Sequence, residues 1–279
     1  GVTAITGAVA DVINAADDQT AGIHTKGDVA LTVSTGTATV AQANQLAGYT
    51  TGVVTATISE TAATTLVGLT GTGNAYTVSV ADASVDAAAL NTLDGKTTVN
   101  VTATAVTTLT GTASAIATAI SASTIDTAAS VGVTVSNGAV FASDLNTIDT
   151  NTTALVDATG VTAITGAVAD VINAADDQTA GIHTKGDVAL TVSTGTATVA
   201  QANQLAGYTT GVVTATISET AATTLVGLTG TGNAYTVSVA DASVDAAALN
   251  TLDGKTTVNV TATAVTTLTG TASAIATAI

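Results

Sequence analysis

The sequence predicts an α/β repeat, a right-handed solenoid of βα coils with parallel sheets. Three observations carry this. Gly1 to Ile120 recurs, letter for letter, as Gly160 to Ile279. Inside that long unit a second pattern recurs, N-x-[LI]-x-x-x-T-T-x-x-V-x-A, at Asn44–Ala56, Asn91–Ala103 and Asn146–Ala158. The composition also disfavours an ordinary globule: aromatic residues are 2%, and Trp, Met, Cys and Pro are absent. A large irregular core needs bulky side chains to fill it, whereas small aliphatic ones placed regularly suit a narrow core repeated along an axis. Disorder is argued against by 46% hydrophobic and only 9% charged residues.

The long unit opens on Val2–Gly7, VTAITG, and continues into Ala8–Ala15, where Val9, Val12 and Ile13 fall at helical spacing. Val29–Ser34 alternates Leu31 and Val33 with Thr32 and Ser34, the signature of a strand with one wet face. Tyr76–Val80 and Val133–Ser136 repeat it; these are the A strands. A helix is expected after each. The clearest is Ser84–Asp94, with Ser84 as N-cap, Val85, Ala89 and Leu93 on one face, and Gly95 as C-cap. The B strands follow at Gly52–Ile58, Thr98–Ala103 and Thr153–Ala158, with Val99, Val101 and Ala103 expected to point inward. The block Val106–Gly111, VTTLTG, is read as a turn, and Ile116 and Ile120 mark a further helix.

One sub-repeat is therefore two βα coils of roughly 25 residues each, in the range of leucine-rich-type repeats. Connections of that length favour parallel, right-handed crossovers. Sub-repeats are expected to stack A strand on A strand and B on B. The spacing between the equivalent positions Leu46, Leu93, Ile148 and Leu205 is uneven, which places insertions in loops. An all-β solenoid is the alternative, because Thr and Val are frequent and short apolar runs are ambiguous. The domain reading is one continuous array over 1–279: a complete long repeat at 1–159 and a truncated second copy at 160–279. Each long repeat holds three sub-repeats of about 47–57 residues. Opening and stopping in mid-pattern, the sequence reads as a window on a longer array.

Net charge is −16, from 20 acids and four lysines. With no clustered Lys or Arg to neutralise phosphate, nucleic acid is excluded as a partner, and anionic membranes would repel this surface. No run of 18 apolar residues exists, so no membrane span is expected.

No catalytic signature is present, and no enzyme activity is expected. His24 and its copy His183 stand alone, without a second His or a Cys to share a metal. Asp17, Asp18 and Asp28, copied as Asp176, Asp177 and Asp187, are the densest acid group and the only calcium candidates. They lack both a D-x-D-x-D-G loop and a G-G-x-G-x-D nonapeptide, and a solvated surface is the better reading. Gly71-Thr72-Gly73-Asn74 resembles part of a phosphate loop but precedes a strand, which suits a tight turn. Asn44, Asn91 and Asn146 are read as an internal ladder satisfying backbone groups at a bend in their own and the next coil. The outward Thr and Ser rows could contact glycans, ice or solid surfaces, although Val53, Asn100 and Leu155 interrupt them.

The runs DAAALNTLDGKTTVNVTATAVTTLTGTASAIATAI and ASDLNTIDTNTTALVDATGVTAITGAVADVI resemble repeats of giant exported surface proteins of marine cyanobacteria and other bacteria, including motility-associated surface proteins and adhesin-like exoproteins. The resemblance implies a secreted or cell-surface location and no site residues. The combined expectation is an extracellular structural protein forming a stiff fibre, stalk or surface coat by end-to-end or lateral self-association. The alternative is an adhesin using its Thr/Ser sheet face.

Overall fold

The computed structural model describes residues 1–17, 25–176 and 181–279. It is mixed α/β, every strand pair described in it is parallel, and it divides into two compact units. The first comprises Gly1–Thr134 with Asn151–Ala154, the second Val135–Thr150 with Leu155–Ile279.

In the first unit β1 (Ala4–Ala8), β2 (Ala30–Thr35), β3 (Val54–Thr57) and β4 (Ala75–Thr77) form one sheet in sequence order. Each strand pairs with the next pass of the chain: Ile5 faces Leu31, Leu31 faces Val54, and Thr55 faces Ala75. Further along, β5 (Ser84–Asp86) pairs with β7 (Thr108–Gly111), and β6 (Val101–Ala103) with β8 (Ile125–Thr127). The backbone of Gly132, opening β9 (Gly132–Val135), bonds to Thr107 at 2.9 Å. Helices α1 (Val9–Asp17), α2 (Val40–Tyr49), α3 (Ala63–Leu66), α4 (Ala87–Asp94) and α5 (Ala113–Ser121) return the chain between strands.

The second unit holds the sheet β10 (Gly138–Phe141), β12 (Val161–Ala167), β14 (Ala189–Thr194), β15 (Val213–Thr216), β16 (Ala234–Thr236). It also holds the pairs β11 (Val156–Ala158) with β13 (Ile182–Thr184) and β17 (Ser243–Asp245) with β18 (Thr267–Thr269). Its helices are α6 (Ala142–Asn151), α7 (Val168–Asp176), α8 (Val199–Tyr208), α9 (Ala222–Leu225), α10 (Ala246–Asp253) and α11 (Ala272–Ala278).

Small aliphatic side chains fill both cores. Leu31, Val54, Leu46, Leu66, Leu90 and Leu93 are fully buried in the first unit, and Ile148, Ile164, Leu190, Leu205 and Val213 in the second. The largest buried side chains are Tyr76 and Tyr235, whose hydroxyls donate weakly to the carbonyls of Ala43 and Ala202. Burial pushes both phenols up to about 12.

Four expectations are corrected. Strands do not stack A on A: β2, an A strand, pairs with β3, a B strand, because one pass of the chain already returns to the sheet. The VTTLTG block is a strand, not a turn; Leu109 is buried between half-exposed Thr108 and Thr110, and the chain turns only after Gly111, at φ +129°, where Thr112 caps α5. The segment Ser84–Asp94 is split. Ser84–Asp86 pairs as β5, Asp86 rather than Ser84 caps α4, and the buried helix face is Ala87, Leu90 and Leu93. Val99 is 37% exposed rather than inward, since Thr97 Oγ1 accepts from Val99 N at 3.1 Å and this local turn ends the alternation running back from Val101.

Candidate functional site

The side chains that recur with fixed geometry lie between successive passes of the chain, and they coincide with the repeated sequence letters. The first Thr of each T-T pair is a staple. Thr50 Oγ1 donates to Val29 O at 2.6 Å and Thr97 Oγ1 to Tyr76 O at 2.6 Å. Thr152 does so to Val131 O at 2.7 Å, Thr209 to Val188 O at 2.6 Å and Thr256 to Tyr235 O at 2.7 Å. In each case the acceptor lies 21 residues back. The same hydroxyl accepts the backbone N–H two residues on, from Gly52, Val99, Ala154, Gly211 and Val258. One oxygen thus joins two passes and fixes the corner. The second Thr adds a longer bond, as from Thr51 to Gly27 O and Thr210 to Gly186 O, both 3.2 Å.

Asparagines supply the next rung. Asn44, Asn91, Asn146, Asn203 and Asn250 each donate Nδ2 to a carbonyl 24 residues ahead, at 2.8–3.1 Å. The ladder exists, but it stands on helices rather than at bends. Asn91 on α4 reaches Ala115 in the first turn of α5, and Asn146 on α6 reaches Asp170 in α7.

Carboxylates make the third contact, and no local motif betrays it. Glu60 accepts from Val40 N, capping α2 from 20 residues ahead, alongside the local capping box of Thr39 and Gln42. Asp82 accepts from Ala63 N at 2.7 Å and caps α3 in the same way; Glu219 and Asp241 repeat both contacts. Burial pushes the Glu60 and Glu219 carboxyls up, but hydrogen bonds from the neighbouring serine hydroxyl and the helix N–H outweigh it and hold both below the ordinary value.

Of the calcium candidates, Asp17 is exposed at the end of α1, Asp28 is exposed, and Asp18 lies outside the described residues. In the second copy Asp187 pairs with Lys185 at 3.5 Å, and Asp176 hydrogen-bonds to Tyr208. Asp177 and His24 also lie outside the described residues. Among the described residues no group of three or more His, Cys, Asp or Glu side chains could hold a metal. His183 is exposed on β13 opposite Asp157 of β11. The Asp157 carboxyl is held below its ordinary range by the Thr159 hydroxyl and N–H, with a smaller contribution from His183. Gly71 and Gly73 both sit at φ +79°, a turn that glycine allows, and it delivers Asn74, whose Oδ1 accepts from Val54 N at 2.9 Å.

The outward face of the longer sheets carries the expected hydroxyl rank, but a short one. Thr6, Thr32 and Thr55 lie in file and Ala75 ends the row. In the second unit the row runs Phe141, Thr165, Thr191, Thr214, Ala234. Val53, Val212 and Leu155 are 46–48% exposed and Phe141 is 62% exposed. A depression of about 430 Å³ between α6 and α7 is lined by Asn146, Asp149, Thr150, Asn173 and Asp176.

Among the described residues no helix is long and apolar enough to cross a membrane. Compared with known family models, curated proteins and solved structures, the chain matches none.

Proposed function

We propose that this chain is a segment of a right-handed α/β solenoid that serves as a stiff, non-catalytic fibre, stalk or surface coat outside the cell. The observation that carries this reading is the uniform pairing. Within each unit strands join parallel partners on the next pass, as Ile5 joins Leu31 and Thr214 joins Ala234. The Thr rungs reach back 21 residues and the Asn rungs reach ahead 24 residues, in every copy. Contacts that reach only the neighbouring pass are the physical basis of repeat arrays, whose length scales with repeat number. Rungs of hydrogen bonds and trans-capped helices resist bending without needing a wide core. Right-handedness follows from the strong bias of parallel strand–helix–strand connections.

Among the described residues one long repeat holds six helices, α1 to α6. At about 4.8 Å per strand step, each long repeat would add roughly 30 Å to the rod. Electron microscopy or small-angle scattering of chains with two, four and six long repeats tests this. Length rising linearly by that increment supports the reading, and flexible strings of beads would sink it. The high acid content supports a role in which rods stay separate at low ionic strength and associate laterally as salt screens them.

A second reading, an adhesin, is favoured by one observation, the exposed Phe141 heading a file of threonines, Thr165, Thr191 and Thr214. Aromatic and hydroxyl groups on a flat face suit a glycan. Binding to a carbohydrate array that is lost in Phe141→Ser would move the adhesin ahead of the fibre.

A further inference from the structure

The chain contains 13 asparagines, and only Asn137 is followed by glycine. The successor matters because its backbone nitrogen can attack the asparagine Cγ and close a five-membered ring. A side chain on the successor crowds that approach, and a helix or a hydrogen bond on the attacking N–H restrains it. Gly138 has no side chain, sits at φ +127°, and nothing lies within 4 Å of where its Cβ would be. Asn137 is exposed at the bend between β9 and β10. Its carboxamide lies against Gly160, in the space that a Cβ there would need, and makes no hydrogen bond among the described residues.

The other asparagines are placed differently. The five of the ladder donate Nδ2 to a carbonyl 24 residues ahead. Asn74 and Asn233 are buried, and Asn100 donates to Ser123 O at 3.3 Å. Asn14 and Asn173 lie within α1 and α7, and Asn151 is the last residue of α6. Asn259 is exposed but precedes Val260, whose branched side chain crowds the approach. Asp94 and Asp253 also precede glycine, yet Gly95 N and Gly254 N donate to Asn91 O and Asn250 O at 3.3 Å and close their helices.

We propose that Asn137–Gly138 is a self-modification site, at which the Asn137 amide becomes an acid with water as the only co-reactant. Gly138 N gives up its proton and bonds to Asn137 Cγ. The Cγ–Nδ2 bond breaks, and the nitrogen takes up the proton and leaves as ammonia. Water then opens the ring. Attack at Cγ restores the ordinary main chain and leaves an aspartate. Attack at the main-chain carbonyl leaves isoaspartate, whose backbone runs through Cβ and Cγ and is one methylene longer. Either product adds a negative charge to a chain already at −16. The isoaspartate places its extra methylene beside the Gly138–Val161 pair that joins β10 to β12, at the base of the strand that presents Phe141. The proposal does not depend on the solenoid reading.

The test incubates the full chain at neutral and at alkaline pH and digests it with a protease that cleaves before aspartate. Residues 126–143 then emerge as one peptide. Conversion to aspartate splits that peptide at 137. Conversion to isoaspartate leaves it whole and makes it a substrate for an isoaspartyl methyltransferase. Conversion at Asn137 should rise with time and pH and exceed that at every other asparagine severalfold. Because opening an exposed bend costs little, the rate should lie within severalfold of that of a synthetic peptide of residues 126–143. Asn137→Gln, which would need a larger ring, should abolish both products, with circular dichroism checking that the fold is kept. Conversion no faster than at Asn259, suppression on the order of a hundredfold relative to the peptide, or products that persist in Asn137→Gln would overturn the proposal.

Discussion

Replacing Thr209 by Val tests whether the staple is the structural reason for the repeated T-T. The hydroxyl is buried, donates to Val188 O at 2.6 Å and accepts from Gly211 N at 2.9 Å. Valine keeps the branched shape but removes both bonds and strands a carbonyl and an N–H. At about 1 kcal/mol net per bond, plus the desolvation of two orphaned backbone groups, the loss should be about 2–4 kcal/mol. Thr210 is the internal control. It is exposed, and its acceptor, Gly186 O, also receives Thr210 N at 2.8 Å, so Thr210→Val leaves that carbonyl satisfied. Its cost should be about 0.5 kcal/mol. Urea titration followed by circular dichroism measures both, with an unchanged m-value required before the midpoints are converted to free energy. Equal costs for the two valines, or a Thr209→Val loss below about 0.5 kcal/mol, would refute the staple.

The helix caps supplied from the next pass predict a pH dependence. The folded Glu60 and Glu219 carboxyls lie below the ordinary value of 4.5, so their contribution is present above that value and is lost as pH falls through the folded pKa. Glu60→Gln with Glu219→Gln should flatten the acid limb of a stability-versus-pH curve, and an unchanged limb counts against trans-capping. A Cβ on Gly211 would collide with the Asp187 carbonyl, whereas one on Gly207, in α8, meets nothing within 4 Å. Gly211→Ala should therefore destabilise by about 2 kcal/mol or more and Gly207→Ala stabilise by about 0.5–1 kcal/mol, read as opposite shifts in urea midpoint. Of the four tyrosines, Tyr76 and Tyr235 should stay protonated until about pH 12 or until the chain unfolds, so an ultraviolet titration of the native protein should show a reduced phenolate amplitude near pH 11.

What is legible in the sequence is whatever repeats in register with its own neighbours. The strand Ala30–Thr35, expected at Val29–Ser34, the helix Val9–Asp17, expected at Ala8–Ala15, and the glycine turn at Gly71–Asn74 all follow from local alternation, spacing or backbone freedom. The recurring Asn and T-T letters are visible, but their partners 24 and 21 residues away are not, because the length of one pass has to be known first. The same ignorance leads to A-on-A stacking, and it hides Glu60 and Asp82, whose sequence neighbourhoods contain no cap they could make locally. Three-residue strands such as β5 and β6 are too short to show a period, so local spacing assigns Val85 to the helix that follows it and Val99 to the inward face.

The two copies also show why propensity alone does not find those strands. Val101-Thr102-Ala103 and Val260-Thr261-Ala262 have one sequence and one set of intrinsic preferences, yet only the first is a strand. What differs is the pass alongside: β8 supplies the backbone partner and the Ile125 side chain that completes the apolar contact. The free energy that makes this strand therefore resides mainly in the interface between passes and only weakly within a pass. An interface-dominated array unfolds from whichever face is least covered. Hydrogen exchange should then be faster for the amides of Val260 and Leu268 than for the chemically identical Val101 and Leu109. Equal protection of the two sets would mean that each pass is stable by itself, and coupling between neighbours would no longer explain how residues this small hold a fold.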